Sequence, residues 1–173
     1  RVAVVQLCSK EDVAENLQHS LHWIEQAAES GAQLIALPEN CLWLSPDSNA
    51  IAPHLYPDSP PLKALRNKAL QRQIYILLGS VPEASEVPGK VYNTSVLIGP
   101  NGHVQATYRK CFLFDVDLKG RESHLESERV SPGEDVVHAD IAGHRMGMSN
   151  CFDLRFPELY RALCTGETSL LSI

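Results

Sequence analysis

The chain has 173 residues, 44% hydrophobic and 21% charged, which is enough apolar material for one domain-sized core. A formal net charge of −6 and a sequence pI near 5.6 argue against a nucleic-acid or anionic-membrane surface. The longest apolar runs, such as "IYILLGSV", are strand-sized and too short to span a bilayer.

In chain order, "RVAVVQL" reads as a buried first strand with no cleavage pattern behind it, so no signal peptide is expected. The missing initiator Met leaves a trimmed start open. From Asp12 to Ser30, Val13, Leu17, Leu21, Ile24 and Ala28 recur at helical spacing, and Gly31 follows as a cap. "QLIALP" is a second buried strand, ended by Pro38. This β-α-β order predicts an α/β domain with at least one parallel pair.

After an irregular stretch over 40–60, "PPLKALRNKALQRQ" predicts a helix opened by prolines, with Leu62, Leu65 and Leu70 on its apolar side. "IYILLGSV" is a third strand, and "VYNTSVLIGPNGHVQATYRK" a hairpin around Pro-Asn-Gly. Residues 111–134 form a long connection with little periodicity, which favours a functional loop. A second hairpin should turn at Ala142–Gly143 and lead into a helix opened by Pro157. The last residues, "TSLLSI", begin another strand and stop. A half-made strand is a poor domain boundary, so the chain reads as the front part of something longer.

Five cysteines, Cys8, Cys41, Cys111, Cys151 and Cys164, are widely spaced with no C-x-x-C pair. Free thiols in a reducing compartment are the expectation, with a cytoplasmic or mitochondrial setting. His19 and His22 lie three apart on the first predicted helix without a third ligand and are expected at the surface.

Three strand ends carry reactive side chains: Glu39 after "LIALP", Lys110 after "VQATYR" and Cys151 after "HRMGMSN". Singly, each has a plain reading as loop carboxylate, solvated strand end or core filler. Together, at the carboxyl ends of strands, they make a plausible base, electrostatic stabiliser and nucleophile. A carboxylate whose pKa is raised by burial could deprotonate the thiol, and the helix opened by Pro157 should favour thiolate through its positive end. No histidine stands in a comparable position, which weakens a cysteine–histidine protease, and no H-x-x-x-H or cysteine cluster supports a metal-dependent hydrolase.

"LPEN", "YRKCFLFDVD" and "CFDLRFPELYR" resemble, in order, the three signature segments of the nitrilase superfamily, the carbon–nitrogen hydrolases. The resemblance runs from Val2 to the last residue and implies an α-β-β-α sandwich, here C-terminally incomplete, with 1–173 as the N-terminal part of one hydrolase domain. It implies Glu39 as general base, Lys110 as oxyanion stabiliser and Cys151 as nucleophile. "LESERVSPGED" resembles the segment bearing a second glutamate, which makes Glu126 a supporting residue; Glu122 in "GRES" competes, and the downstream "SPG" favours Glu126. Substrate-binding groups stay open, with the Phe152 backbone N–H as one candidate. The segments look most like the ω-amidase and deaminated glutathione amidase branch. That branch implies hydrolysis of a small ω-amide through a Cys thioester with release of ammonia, no cofactor or metal, and a homodimer or higher homo-oligomer.

Nitrilases, ureidopropionases and acyltransferases share the same triad. The alternative is an inactive truncated form acting only through protein contacts. Asn150 departs from the resemblance, because an apolar residue is expected just before the nucleophile. A buried amide there must find partners or cost about 1–3 kcal/mol.

Overall fold

A computed structural model describes residues 1–47, 50–117 and 123–173. The first strand, β1 (Val2–Val4), is followed by α1 (Val13–Glu29), whose start is set by Asp12. The Asp12 carboxylate accepts from the backbone N–H groups of Ala14 and Glu15 at 2.9 and 3.0 Å. Gly31, at φ 82°, closes the helix and feeds β2 (Leu34–Ala36). Helix α2 (Pro60–Arg72) begins under a Ser59 cap and leads into β3 (Tyr75–Ala84), β4 (Val91–Ile98) and β5 (Val104–Arg109).

The connection that follows holds more structure than its pattern suggested. It contains β6 (Asp115–Asp117), β7 (Ser123–Leu125), a 3-10 turn at Glu126–Glu128 and β8 (Val130–Ser131). The expected hairpin is formed by β9 (His138–Ile141) and β10 (His144–Gly147), with Ala142 and Gly143 both at positive φ as a tight two-residue turn requires. A 3-10 turn at Cys151–Arg155, α3 (Pro157–Leu163) and β11 (Thr168–Leu171) complete the order.

The larger sheet runs β1-β2-β3-β4-β5, with β8 beside β4. Strands β1, β2 and β3 are parallel, and β4 is antiparallel to both β3 and β5. A smaller sheet, β11-β10-β9, pairs β11, the strand expected from "TSLLSI", parallel to β10. Side-chain alternation sends Ile35, Ile76, Leu78, Val96 and Ile98 against Ile24, Leu62 and Leu65 of the helices. The opposite residues, Leu34, Leu77, Leu97 and Tyr108, pack on Ala139, Ile141, Met146 and Met148 of the smaller sheet. Gly147, between those two methionines, faces Leu163 of α3, so the layers run α-β-β-α.

Two burial expectations are corrected. Leu70 is half exposed, and Ala69 takes its place in the core, because the buried face of α2 is centred on Leu62, Leu65 and Ala69. The first strand is not buried: Val2 and Val4 are exposed, since β1 is the sheet edge and its outer face meets no covering residue among those described. His19 and His22 are exposed and all five cysteines are free. Among the described residues, no helix is long and apolar enough to cross a membrane.

Candidate active site

Strands β2 and β5 run in the same direction within one sheet, so their carboxyl ends open on one edge, where the oppositely directed β4 begins. Beyond β2 the chain crosses β3 at Gly79, where a Cβ would lie 2.4 Å from the Pro38 carbonyl carbon. Only glycine admits that crossing, and it delivers Glu39 to the edge. The next residue, Asn40, sits at φ 54° and donates its backbone N–H to Ser80 Oγ at 2.8 Å.

Lys110 occupies the gap where β8 takes over from β5 beside β4. Its backbone N–H donates to Asn93 O at 2.9 Å, and its carbonyl accepts from Gly133 N at 2.9 Å. The Lys110 side chain is 2% exposed. Its Nζ donates to Glu39 Oε1 at 3.0 Å and to Glu126 Oε1 and Oε2 at 3.2 and 2.9 Å. Glu126 is presented by the 3-10 turn and also accepts from the Phe114 backbone N–H at 2.6 Å. The long connection therefore supplies the second carboxylate at Glu126; the competing Glu122 lies outside the described residues.

Sequence reasoning missed Asn93. Its Nδ2 donates to Glu39 Oε1 at 2.8 Å and Glu126 Oε1 at 3.3 Å, tying the two carboxylates together from β4. The departure at Asn150 finds its partner here, because its Nδ2 donates to Asn93 Oδ1 at 3.2 Å. Two adjacent signals were available: a polar amide inside the β-prone run "VYNTSVLIG" and another before the nucleophile. Only the fold places them together.

Cys151 opens the 3-10 turn at a positive φ of 51°, a strained conformation for a residue with a Cβ. Buried Asp153 holds this turn. It accepts from Asn150 N at 2.9 Å, Phe112 N at 2.9 Å and Tyr108 Oη at 2.6 Å, binding the cysteine turn to the end of β5. A cluster of rings adds a second tie, with Phe112 stacked on Phe156 at 3.7 Å and Phe114 edge-on to Phe152 at 5.1 Å. Arg155 and Glu158, which follow in the same motif, are exposed.

The electrostatics correct one expectation. Burial, followed by the facing Glu39 carboxylate, pushes the Cys151 thiol up to about 11, with Lys110 pulling the other way. The resting thiol is therefore protonated near neutrality and is not a helix-stabilised thiolate; α3 starts only after the intervening 3-10 turn. Burial pulls the Lys110 ammonium down, but Glu39 and Glu126 outweigh it and its pKa is raised overall. Glu39, Lys110, Glu126 and Cys151 line one cavity of ≈ 660 Å³. A proton acceptor, a fixed cation and a thiol in one partly enclosed space can run addition of sulfur to a carbonyl.

Residues 1–173 match the family described as Carbon-nitrogen hydrolase. The chain is 38% identical over 175 residues to the deaminated glutathione amidase of Synechocystis sp. (strain PCC 6803 / GT-S), covering 99% of this chain and 64% of that protein. It is 36% identical over 162 residues to omega-amidase NIT2 of Homo sapiens, covering 92% of this chain and 57% of that protein. Among solved structures it resembles the amidase from Nesterenkonia sp. AN1, in a glutamate-to-glutamine variant with acrylamide added at the active site cysteine. The TM-score is 0.81, with 26% identity over 98% of this chain and 64% of that one. The chain thus spans less than two thirds of the length of these two curated relatives.

Proposed function

Since the chain belongs to the carbon–nitrogen hydrolase family, the nitrilase superfamily, we propose that it serves cysteine-dependent hydrolysis of the terminal amide of a small ω-amide acid. The observation that carries this reading is the Lys110 ammonium, held 3.0 Å from Glu39 and 2.9 Å from Glu126 in the cavity that Cys151 also lines. The amidase names of its relatives support the substrate class.

In the first half-reaction Cys151 Sγ adds to the amide carbon while its proton passes to the Glu39 carboxylate. Because the thiol sits near 11, transfer to a facing base during attack is needed in place of a preformed thiolate. The carbonyl pair moves onto oxygen, where Lys110 and the Phe152 backbone N–H can stabilise it; one well-placed donor contributes ~3–4 kcal/mol. The C–N bond then breaks, Glu39 returns the proton to nitrogen, and ammonia leaves behind a thioester on Cys151. Water, deprotonated by Glu39, adds to the thioester; the C–S bond breaks, sulfur regains the proton and a carboxylic acid is released. Glu126 and Asn93 keep Lys110 and Glu39 aligned through both halves.

Ammonia release from succinamate and glutaramate tests this, with intact mass spectrometry for an acyl adduct on Cys151. Hydrolysis that is lost in Cys151→Ala and Glu39→Gln is the expected result. Turnover retained in Cys151→Ala would remove the thioester route.

A further inference from the structure

We propose that Lys90 and Arg129 form an anion-binding wall of the cavity and hold the carboxylate of the substrate while its amide lies at Cys151. This rests on the amidase reading and adds the residues that select an acid over a neutral amide. The two cations are neighbours by strand pairing: Val91 is in register with Val130, and Val91 N donates to Arg129 O at 3.0 Å. Both residues line the ≈ 660 Å³ cavity, and both are only partly exposed.

Neither has a carboxylate partner among the described residues. Lys90 Nζ donates to a neutral group, the Ser127 carbonyl, at 2.6 Å, and Arg129 has no ion pair with any of the described residues. The two carboxylates in the cavity wall, Glu39 and Glu126, are taken by Lys110 and Asn93. Nearby Glu83 is bound by Arg109 at 2.7 Å, and Glu86 accepts from Tyr92 Oη at 2.5 Å. His54 and His124, also in the wall, bring no negative charge.

Two like charges side by side in a partly desolvated wall repel one another, and a bound anion relieves that repulsion. Lys90 stands three residues before Asn93 on the run into β4, roughly 10 Å along the strand at ~3.3 Å per residue. That separation places the anion wall apart from the Glu39–Lys110 pair and suits a ligand with its amide at one end and its carboxylate at the other.

The test compares succinamate with neutral butyramide, by calorimetric binding to the Cys151→Ala protein and by kcat/KM in the protein that retains Cys151. Arg129→Gln and Lys90→Gln should each weaken succinamate about ten- to a hundredfold, the range of a charge-assisted hydrogen bond, and leave butyramide unchanged. Arg129→Lys should retain most of the affinity, which separates loss of charge from loss of fold. An unchanged succinamate Kd in both glutamine variants, or equal losses for butyramide, overturns the proposal. If neither amide is hydrolysed but succinamate binding still depends on Arg129, the amidase reading falls and the anion wall stands.

Discussion

At the scale of single residues, the site works through opposed charges at close range. The Glu39 carboxylate is second only to burial in holding Cys151 protonated, yet in the proposed reaction it is also the group that takes the proton. Glu39→Gln should therefore have two opposite effects. Removing the negative charge lowers the thiol pKa from about 11, so the thiolate fraction near pH 8 rises and iodoacetamide labels Cys151 faster. Amide turnover should nonetheless disappear, because no base remains. Slower labelling in Glu39→Gln would mean that the carboxylate does not oppose the thiolate. Lys110 makes the reciprocal case. Replacing it by Met leaves Glu39 and Glu126 facing each other without a cation, and breaking a buried pair from one side costs about 3–5 kcal/mol. Denaturant unfolding of Lys110→Met should show that loss, while Glu126→Gln, which keeps one acceptor, should lose less.

At the scale of elements, the site depends on close backbone approaches that only glycine allows. Gly133, in the "SPG" turn after β8, lies so near β5 that a Cβ would sit 2.2 Å from the Arg109 carbonyl oxygen. Its N–H also donates to the Lys110 carbonyl at 2.9 Å. A methyl group there must push the segment behind Glu126 away from the end of β5. Gly133→Ala should cost about 1–3 kcal/mol as an overpacking defect and reduce kcat more than thermal stability implies. Comparison of turnover with melting temperature checks it; wild-type kcat in a folded Gly133→Ala protein would show that this approach does not set the position of Lys110.

At the scale of the whole molecule, several protonated groups act together: Cys41, Tyr108 and Lys110 are buried, and Cys151 is partly withdrawn from water in its cavity although its residue is exposed. Burial raises Cys41 to about 12 and Cys151 to about 11, and the Tyr108 phenol and the Lys110 ammonium are raised as well. Each folded-state pKa lies above its unfolded value, which for thiols is near ~8.5. The unfolded chain therefore gives up protons first as pH rises. The stabilisation is fully present below about pH 8.5 and is lost progressively as pH climbs toward 11 and 12. The melting temperature should be flat through neutrality and fall steeply above pH 9. Cys41→Ala should make that fall shallower, although it lowers the neutral-pH value by leaving a small cavity. An identical alkaline slope in Cys41→Ala would show that Cys41 takes no part.

Local chemistry made much of this legible in the sequence. The bounds of α1 follow from the Asp12 cap and Gly31, and the β9–β10 turn follows from Ala142–Gly143, because caps and tight turns are decided within a few residues. Glu39, Lys110, Cys151 and Glu126 were legible as candidates through the segments that carry the family resemblance, and the four line one cavity. What required the tertiary structure was every property set by a distant partner. Asn93 joins the two carboxylates only because β4 starts at the edge where β2 and β5 end, and Asn150 is satisfied only because Asn93 stands opposite. The exposure of Val4 depends on its position on the edge strand. The thiol stays protonated because desolvation and a facing carboxylate outweigh Lys110, and those energies depend on distances and burial that no local pattern encodes.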